Sequence, residues 1–191
     1  MNAKDEFIRI FTDNIHREGA DALLRWLEST DFFTAPASTK YHSCHEGGLC
    51  EHSLNVYKRL SRVFFGENSI EHGKEAAEKE TVAICGLLHD VCKANFYKAS
   101  TRNVKNDETG KWEKKPYYAV DEKFPFGHGE KSVFLIERFM KLTPEEAVAI
   151  RFHMGEFDTL RCTSDAYSKF PLAVMLHVAD LEATYLDEKE E

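Results

Sequence analysis

The stretch Gly86-Leu87-Leu88-His89-Asp90-Val91-Cys92-Lys93 joins an apolar run to two adjacent side chains that resist burial. The run, residues 82–88, predicts a buried helix segment that ends in an imidazole and a carboxylate. Burying such groups is costly unless they are paired or bound to a metal ion, and both are common ligands for divalent ions. A His-Asp pair on its own is more often a polar helix cap, so its meaning depends on the rest of the chain.

A further histidine follows a glycine turn upstream. Gly47-Gly48 permits a backbone with positive φ, and a helix is predicted from about Leu49, with His52 in its first turn. Taken alone, His52 is equally compatible with a hydrogen-bonded core histidine. In the preceding loop, His42 and His45 could contact a substrate or orient a ligand, or they could be solvated. The predicted core positions of this helix are Leu54, Val56, Tyr57, Leu60, Val63 and Phe64.

Two histidines lie beside predicted helices downstream. His128 stands at a helix N-terminus after a glycine. Thr143-Pro144-Glu145-Glu146 combines a Thr cap, a Pro at the first helical position and a Glu at the third, which is typical of a helix start. This second helix is predicted to reach His153 and to end at Gly155. The buried face predicted for the helix that starts at His128 consists of Val133, Phe134, Ile136 and Phe139.

An aspartate lies inside the last apolar run. The helix predicted from about residue 170 carries Asp180, which needs a partner in such surroundings. His177 lies three residues earlier on the same helical face and could orient it. The charged residues 187–191 are expected to form a solvated tail. The helix before His89 is predicted over residues 70–92, with His72 on the surface.

Composition bounds the class of protein. The chain has 191 residues, 42% of them hydrophobic, which suits one globular domain. We expect residues 1–40 to form a helical extension packed on the domain of residues 41–191. A net charge of −8 argues against duplex nucleic acid as a partner. It does not exclude a small basic channel within the acidic surface. The chain has no apolar run of about 20 residues, as a membrane span would need, and no secretory signal pattern. Its five cysteines are an odd number and are simplest to explain as reduced thiols. We therefore expect a cytoplasmic location.

Residues 97–120 differ from the rest of the chain. Two aromatic and β-branched segments flank the turn residues 106–110, which predicts a β-hairpin, and Pro116 marks an edge strand. The hairpin is either a solvated element or a flap that meets an anionic substrate. Its basic residues are Lys98, Arg102, Lys105, Lys111, Lys114 and Lys115.

The candidate ligands follow the order His, His-Asp, His, His, Asp along the chain. In this order the chain resembles the HD superfamily of metal-dependent phosphohydrolases, over roughly residues 41–185. Its local motifs resemble the HD domain of 3′–5′ exoribonucleases. Two positions depart from the family pattern: Cys92 stands where a glycine is usual, and Met154 where many relatives have a second histidine. The motifs are Gly47-Gly48-Leu49 with His52, Leu87-Leu88-His89-Asp90 with Lys93, Gly127-His128-Gly129, and His177-x-x-Asp180.

The resemblance implies an all-α helical bundle, here with the small β-hairpin insert, and one or two divalent ions (Mn, Fe, Co, Ni, Mg or Zn). It implies a second ion held by His128 and His153, with Asp90 bridging. Lys93 would contact the phosphate, and Asp180 could also act as the base for a water molecule. The ligands implied for the first ion are His52, His89, Asp90 and Asp180.

The favoured function is a metal-dependent phosphohydrolase, either a monoesterase or a diesterase. It would act on a phosphorylated small molecule, a nucleotide or a short oligonucleotide, by metal-activated water. The alternative is a di-iron oxygenase resembling inositol oxygenase, which uses the same six-ligand pattern. A silent binding module is disfavoured because all six ligand positions are filled. Neither a membrane nor duplex nucleic acid is expected as a partner.

Overall fold

The computed structural model describes residues 2–66, 76–107, 109–155 and 162–188. Within these ranges the chain forms eight α-helices and one antiparallel hairpin, which confirms the all-α class with a hairpin insert. None of the helices described there is both long and apolar enough to cross a bilayer. The elements are α1 (Ala3–Asn14), α2 (Ala20–Ser29), α3 (Gly48–Phe65), α4 (Ala76–Leu88), β1 (Tyr97–Lys105), β2 (Trp112–Val120), α5 (His128–Glu137), α6 (Pro144–Arg151), α7 (Thr163–Lys169) and α8 (Pro171–Glu182).

Local sequence signals set several of the helix boundaries. The Asn2 side chain accepts a hydrogen bond from the Asp5 amide at 2.8 Å and so caps α1. Gly19, with φ of +89°, supplies the left-handed turn that leads into α2. Thr143 and Glu146 form the predicted reciprocal capping box at the start of α6. These interactions satisfy amide groups that have no partner within the helix itself.

Two glycines allow the helices that carry the histidines to approach closely. A Cβ atom on Gly86 of α4 would lie 2.6 Å from the Cα of Tyr57 in α3, so only glycine fits at this contact. A Cβ atom on Gly129 of α5 would collide with the backbone of Arg151 at the end of α6. The first contact brings α3 next to the end of α4, and the second brings the start of α5 next to the end of α6.

The helix before His89 is shorter than predicted. Instead of continuing to residue 92, α4 ends at Leu88 and a 3₁₀ turn follows over Val91–Lys93. His89 Nδ1 lies 3.0 Å from the Gly86 carbonyl, an acceptor that a continued helix would pair with the Asp90 amide. The side chain therefore takes over the hydrogen bond that would extend the helix. Residues 67–75, which include His72, lie outside the described residues.

Two predicted core positions lie near the surface. Val63 is 40% exposed because the buried stripe of α3, which includes Leu60, continues through the half-buried Phe64. Phe134 is 45% exposed because its ring packs against Phe124 and Phe126 on the outside of α5. The short helix α7 was not predicted. The predicted hairpin is confirmed, with Arg102 opposite Lys115 and Asn103 opposite Lys114.

A buried ion-pair network joins the α1–α2 connection to α4 and α6. The Arg17 guanidinium donates to both oxygens of Glu146, at 2.6 and 3.0 Å, and to Glu80 at 3.2 Å. Glu146 is fully buried and also accepts from the Thr81 hydroxyl and the Thr143 amide, both at 2.8 Å. Burial raises the pKa of Glu146, but these hydrogen bonds outweigh it and hold the pKa below its usual range. The carboxylate is thus fully satisfied only while Arg17 is present.

We expect Arg17→Met to lower the free energy of unfolding by about 3 kcal/mol at pH 7, measured by urea denaturation. This value is at the lower end for breaking a buried pair, because Arg17 is 21% exposed while Glu146 is left buried without its counter-ion. As a control, Arg9→Met removes an exposed pair with Asp13 and should change stability by less than about 0.5 kcal/mol.

The difference in the free energy of unfolding between wild type and Arg17→Met should also depend on pH. Because the folded-state pKa of Glu146 is lowered, its contribution is complete above the unfolded-state pKa of about 4.3. The contribution is lost as the pH falls through the folded-state value. The gap between the two proteins should therefore narrow below about pH 4. A gap that stays constant from pH 7 to pH 3 would contradict this account of the network.

Candidate metal centre

The structure brings all six predicted ligands together around the Asp90 carboxylate. Its Oδ1 lies 2.7 Å from His128 Nε2 and 3.5 Å from His153 Nε2. Its Oδ2 lies 3.6 Å from His52 Nε2 and 3.6 Å from His89 Nε2. The sixth ligand, an oxygen of Asp180, lies 3.2 Å from His52 Nε2. The elements that contribute are α3, the turn after α4, the first residue of α5, the turn after α6, and α8.

Backbone carbonyls fix the protonation of two of the histidines. His89 Nδ1 lies 3.0 Å from the Gly86 carbonyl, and His153 Nδ1 lies 2.7 Å from the Ile150 carbonyl. Since a carbonyl oxygen can only accept, each Nδ1 carries a hydrogen, and in a neutral imidazole Nε2 is then the nitrogen with the lone pair. His153 Nε2 is buried and has no hydrogen-bond partner among the described residues. A buried lone pair beside a carboxylate is the arrangement that a cation completes.

Glu188 orients His52, and sequence reasoning missed it. Its carboxylate oxygens lie 3.0 and 3.2 Å from His52 Nδ1 and also accept from Ser43 and Asn55. The prediction of a solvated tail is therefore wrong for Glu188, whose side chain is 4% exposed. A π-helical turn over Ala183–Asp187 carries it back toward α3. Residues 189–191 of the predicted tail lie outside the described residues.

Burial and neighbouring charges shift the pKa values of the clustered side chains in opposite directions. Burial lowers the pKa of His52, but hydrogen bonds to Asp180 and Glu188 outweigh burial and raise the pKa to about 9. Burial likewise raises the pKa of Asp180, but His52 and other histidines hold it well below its usual range. At His89, burial dominates and lowers the pKa to about 3. The carboxylates of Asp180 and Glu188 thus favour a positive charge on His52. His89, by contrast, is neutral and can offer a nitrogen lone pair to an ion.

The donor atoms fall into groups that suit divalent ions. In each group, one atom per residue lies within 4.8 Å of the others. Sets of three donors, nitrogen and oxygen in three groups and sulfur as well in the fourth, fit the ordinary preferences of Zn²⁺, Fe²⁺, Mn²⁺ or Co²⁺. The groups overlap, since His52, His89 and Asp90 each belong to two of them, so they do not divide the ligands between two ions. The groups are His52, His89 and Asp180; His89, Asp90 and His153; Asp90, Cys92 and His128; and His42, His52 and Glu188.

Lys93 lies beside the centre and pairs with it directly. Its Nζ is 2.6 Å from Asp90 Oδ2, although the two residues are linked by a 3₁₀ turn rather than by the predicted continued helix. Burial lowers the pKa of Lys93, but the Asp90 carboxylate outweighs burial and raises the pKa above its usual range. The ammonium group therefore stays charged inside the site.

The remaining histidines differ in their surroundings. The His42 ring lies 4.9 Å from the His52 ring at a tilted angle, and burial lowers the pKa of His42 to about 4. Neither ring nitrogen of His42 has a hydrogen-bond partner in the described part of the chain. His45 is exposed and pairs with Glu51 at 3.5 Å. His177 lies 2.6 Å from the His153 carbonyl, so it supports the His153 turn rather than Asp180.

Two cavities reach the centre, and Lys93 lines both of them. A cavity of about 760 Å³ extends from Asp90, Asp180 and Lys93 to the exposed rings of Tyr41 and Tyr185. A smaller one of about 150 Å³ is lined by Cys92, Lys93 and His128 together with Lys131 and Glu122. The larger volume is in the usual range for small-molecule sites. A small molecule can therefore reach the candidate metal-binding residues without any helix unfolding.

Residues 49–184 match the family model of the HD domain, which is more than half of the chain and includes all six predicted ligands. The chain therefore belongs to the HD domain family, whose members are in general metal-dependent phosphohydrolases. The match is to the HD domain as a whole and does not single out the exoribonuclease branch. No curated protein and no solved structure matches the chain.

We expect Glu188→Gln to weaken Co²⁺ binding by about 10- to 100-fold, the usual cost of removing the partner that orients a metal-ligating histidine. A glutamine side chain can either accept a hydrogen bond from His52 Nδ1 or donate one to it. It therefore no longer favours the tautomer of His52 that has its lone pair on Nε2. Isothermal titration calorimetry would measure the affinity. The matched control is Asp187→Asn, since Asp187 pairs with Arg59 and not with a histidine. Equal affinities for the two variants would mean that Glu188 only anchors the chain end.

Proposed function

We propose that this protein is a metal-dependent phosphohydrolase that cleaves a phosphoester in a nucleotide or a short oligonucleotide. One observation carries the proposal: five candidate metal ligands lie around Asp90, itself the sixth, and the Lys93 ammonium pairs with Asp90 at the edge of a large cavity. A divalent ion held there would supply Lewis-acid stabilisation of a phosphoryl group and would lower the pKa of a water molecule. His52, His89, Asp90 and Asp180 would hold one ion, and His128 and His153 would provide ligands for another.

The protein's own groups then have distinct tasks. Lys93 places a permanent positive charge where a phosphoryl oxygen would enter from the cavity, and partial burial strengthens that interaction. Asp180 lines the same cavity, where its carboxylate would accept a proton from the attacking water. Glu188 and the backbone carbonyls hold the imidazoles in fixed orientations. Together these groups bind and orient a phosphoester and receive a proton from the attacking water.

The surroundings of the centre support a nucleotide as the substrate. Tyr41 and Tyr185 line the large cavity and are 75% and 57% exposed, so their rings are available to stack on a base. Lys40 at the same opening adds a positive charge. The hairpin contributes six basic residues against three acidic ones, in a chain with net charge −8. An anionic substrate with aromatic groups fits this combination better than a neutral one.

The proposal is tested by turnover. With Mn²⁺, Co²⁺ or Mg²⁺ under anaerobic conditions, we expect the protein to release phosphate or a nucleoside monophosphate from some member of a panel. The panel comprises phosphomonoesters, cyclic nucleotides and dinucleotides, and Asp90→Asn is the inactive control. Activity that requires reduced iron and O₂, with no phosphate or nucleotide released, would instead assign the protein to the oxygenase class. Metal binding without turnover on any phosphoester would also contradict the proposal.

We expect Lys93→Met to lower kcat/KM for the phosphoester by roughly 100-fold, the lower end for loss of a charge-stabilising group. Metal content should not change, because Lys93 supplies no ligand. Steady-state kinetics and elemental analysis of the same preparation would separate the two effects.

Charge reversal in the hairpin provides the comparison. The double variant Lys114→Glu, Lys115→Glu should mainly raise KM and weaken the salt dependence of KM. Both side chains are exposed on the hairpin and are not among the candidate metal ligands. Lys141→Glu, which reverses another exposed lysine outside the hairpin, is the matched control. If Lys93→Met is silent while the hairpin variant abolishes turnover, the hairpin supplies the catalytic cation and Lys93 does not.

A further inference from the structure

Cys92 lies inside the metal centre, at the position where the family pattern has a glycine. The side chain is 2% exposed and belongs to the 3₁₀ turn that directly follows Asp90. Its Sγ lies 3.5 Å from His128 Nδ1 and 3.6 Å from His128 Nε2. The same Nε2 lies 2.7 Å from Asp90 Oδ1. The sulfur, the imidazole and the carboxylate thus each offer a donor atom within 4.8 Å of the other two.

We propose that Cys92 binds the second divalent ion as a thiolate, in a ligand set with His128 and Asp90. The proposal rests on the metal centre of the proposed function and adds a ligand that neither the His-Asp pattern nor the family match assigns. It also names the class of ion: a soft thiolate selects Zn²⁺, Co²⁺ or Fe²⁺ over Mg²⁺. On binding, the thiol proton leaves to solvent and the sulfur lone pair is donated to the ion.

The distances fit two ligands of one ion. Metal–sulfur and metal–nitrogen bonds of about 2.3 and 2.1 Å place the two donor atoms roughly 3.6 Å apart at a tetrahedral angle. A thiol is only a weak hydrogen-bond donor, so the contact with His128 gains little on its own. The turn over Val91–Lys93 holds the sulfur next to the imidazole, where a glycine would offer no donor.

An independent feature also points to an ion beside the same carboxylate oxygen. His153 Nε2 is fully buried, has no hydrogen-bond partner in the described ranges, and lies 3.5 Å from Asp90 Oδ1. This nitrogen therefore lies next to the oxygen that His128 also contacts. The small cavity lined by Cys92 and His128 provides a path for the ion and for water. The other cysteines, Cys44, Cys50, Cys85 and Cys162, belong to none of the ligand groups formed by the described residues.

The test uses the full chain loaded anaerobically with Co²⁺. Wild type should show a thiolate-to-cobalt charge-transfer band in the near ultraviolet, and Cys162→Ser, which replaces an exposed cysteine, should retain it. Cys92→Ser should lose the band and bind Zn²⁺ at this site at least about 100-fold more weakly, because losing even a partner that only orients a ligand costs roughly 10- to 100-fold. Circular dichroism would verify that the variant is folded. X-ray absorption of the wild-type Zn²⁺ protein needs no variant and should show sulfur at about 2.3 Å.

The outcomes separate this proposal from the proposed function. Co²⁺ binding without a thiolate band, or Zn²⁺ coordination by nitrogen and oxygen alone, would overturn the assignment of Cys92 and leave the phosphohydrolase intact. A charge-transfer band that persists in Cys92→Ser would also overturn it. A protein that binds no Co²⁺ at all would overturn both this proposal and the metal centre beneath it.

Discussion

The arrangement of the helices depends on an excess of hydrogen-bond acceptors around Asp90. His89 and His153 both use their Nδ1 hydrogens on backbone carbonyls, so each presents Nε2 to the Asp90 carboxylate, at 3.6 and 3.5 Å. Burying such a set without positive charge would cost several kcal/mol. Lys93 and His128 supply part of that charge, with Nζ at 2.6 Å and Nε2 at 2.7 Å from the two oxygens of Asp90. A divalent ion is the natural complement to the donor atoms that remain.

This chemistry requires helices that approach more closely than ordinary side chains allow. Gly86 removes the Cβ that would separate α4 from α3, and Gly129 removes the one that would separate α5 from α6. The Arg17–Glu146 network ties α4 and α6 to the N-terminal helices through fully satisfied hydrogen bonds. The glycines set the spacing of the helices, while the ion-pair network adds buried polar contacts that are lost if the packing opens. Together they hold the ligands in place before any substrate arrives.

The fold was largely predictable from the sequence because its signals are local. Apolar periodicity located most of the helices, the Thr143 cap marked the start of α6, and the turn residues marked the hairpin. The His-Asp motif also located the residues that converge, since each lies within or beside an apolar helical pattern. In these cases the information needed lies within about one to three helical turns of the chain.

What could not be predicted depends on contacts between distant parts of the chain. Glu188 reaches His52 across 136 residues, and in sequence it belongs to a charged run that is indistinguishable from a solvated tail. The early end of α4 results from a histidine side chain that captures a carbonyl, which no propensity records. The proximity of His128 to Cys92 and of His153 to His89 depends on how the ends of α4, α5 and α6 meet. Sequence order names the ligands but does not pair them.

Asp90 has to be a carboxylate because its two oxygens face two different sets of groups. Oδ2 faces Lys93, His52 and His89, while Oδ1 faces His128 and His153. An asparagine would fit the volume, but its amide nitrogen would place hydrogens against either the Lys93 ammonium or the His128 N–H, and both of these are donors. One carboxylate can accept from both sides at once, and it can equally bridge two cations. The same geometry that keeps Asp90 satisfied without a metal thus suits it to join two halves of a metal centre.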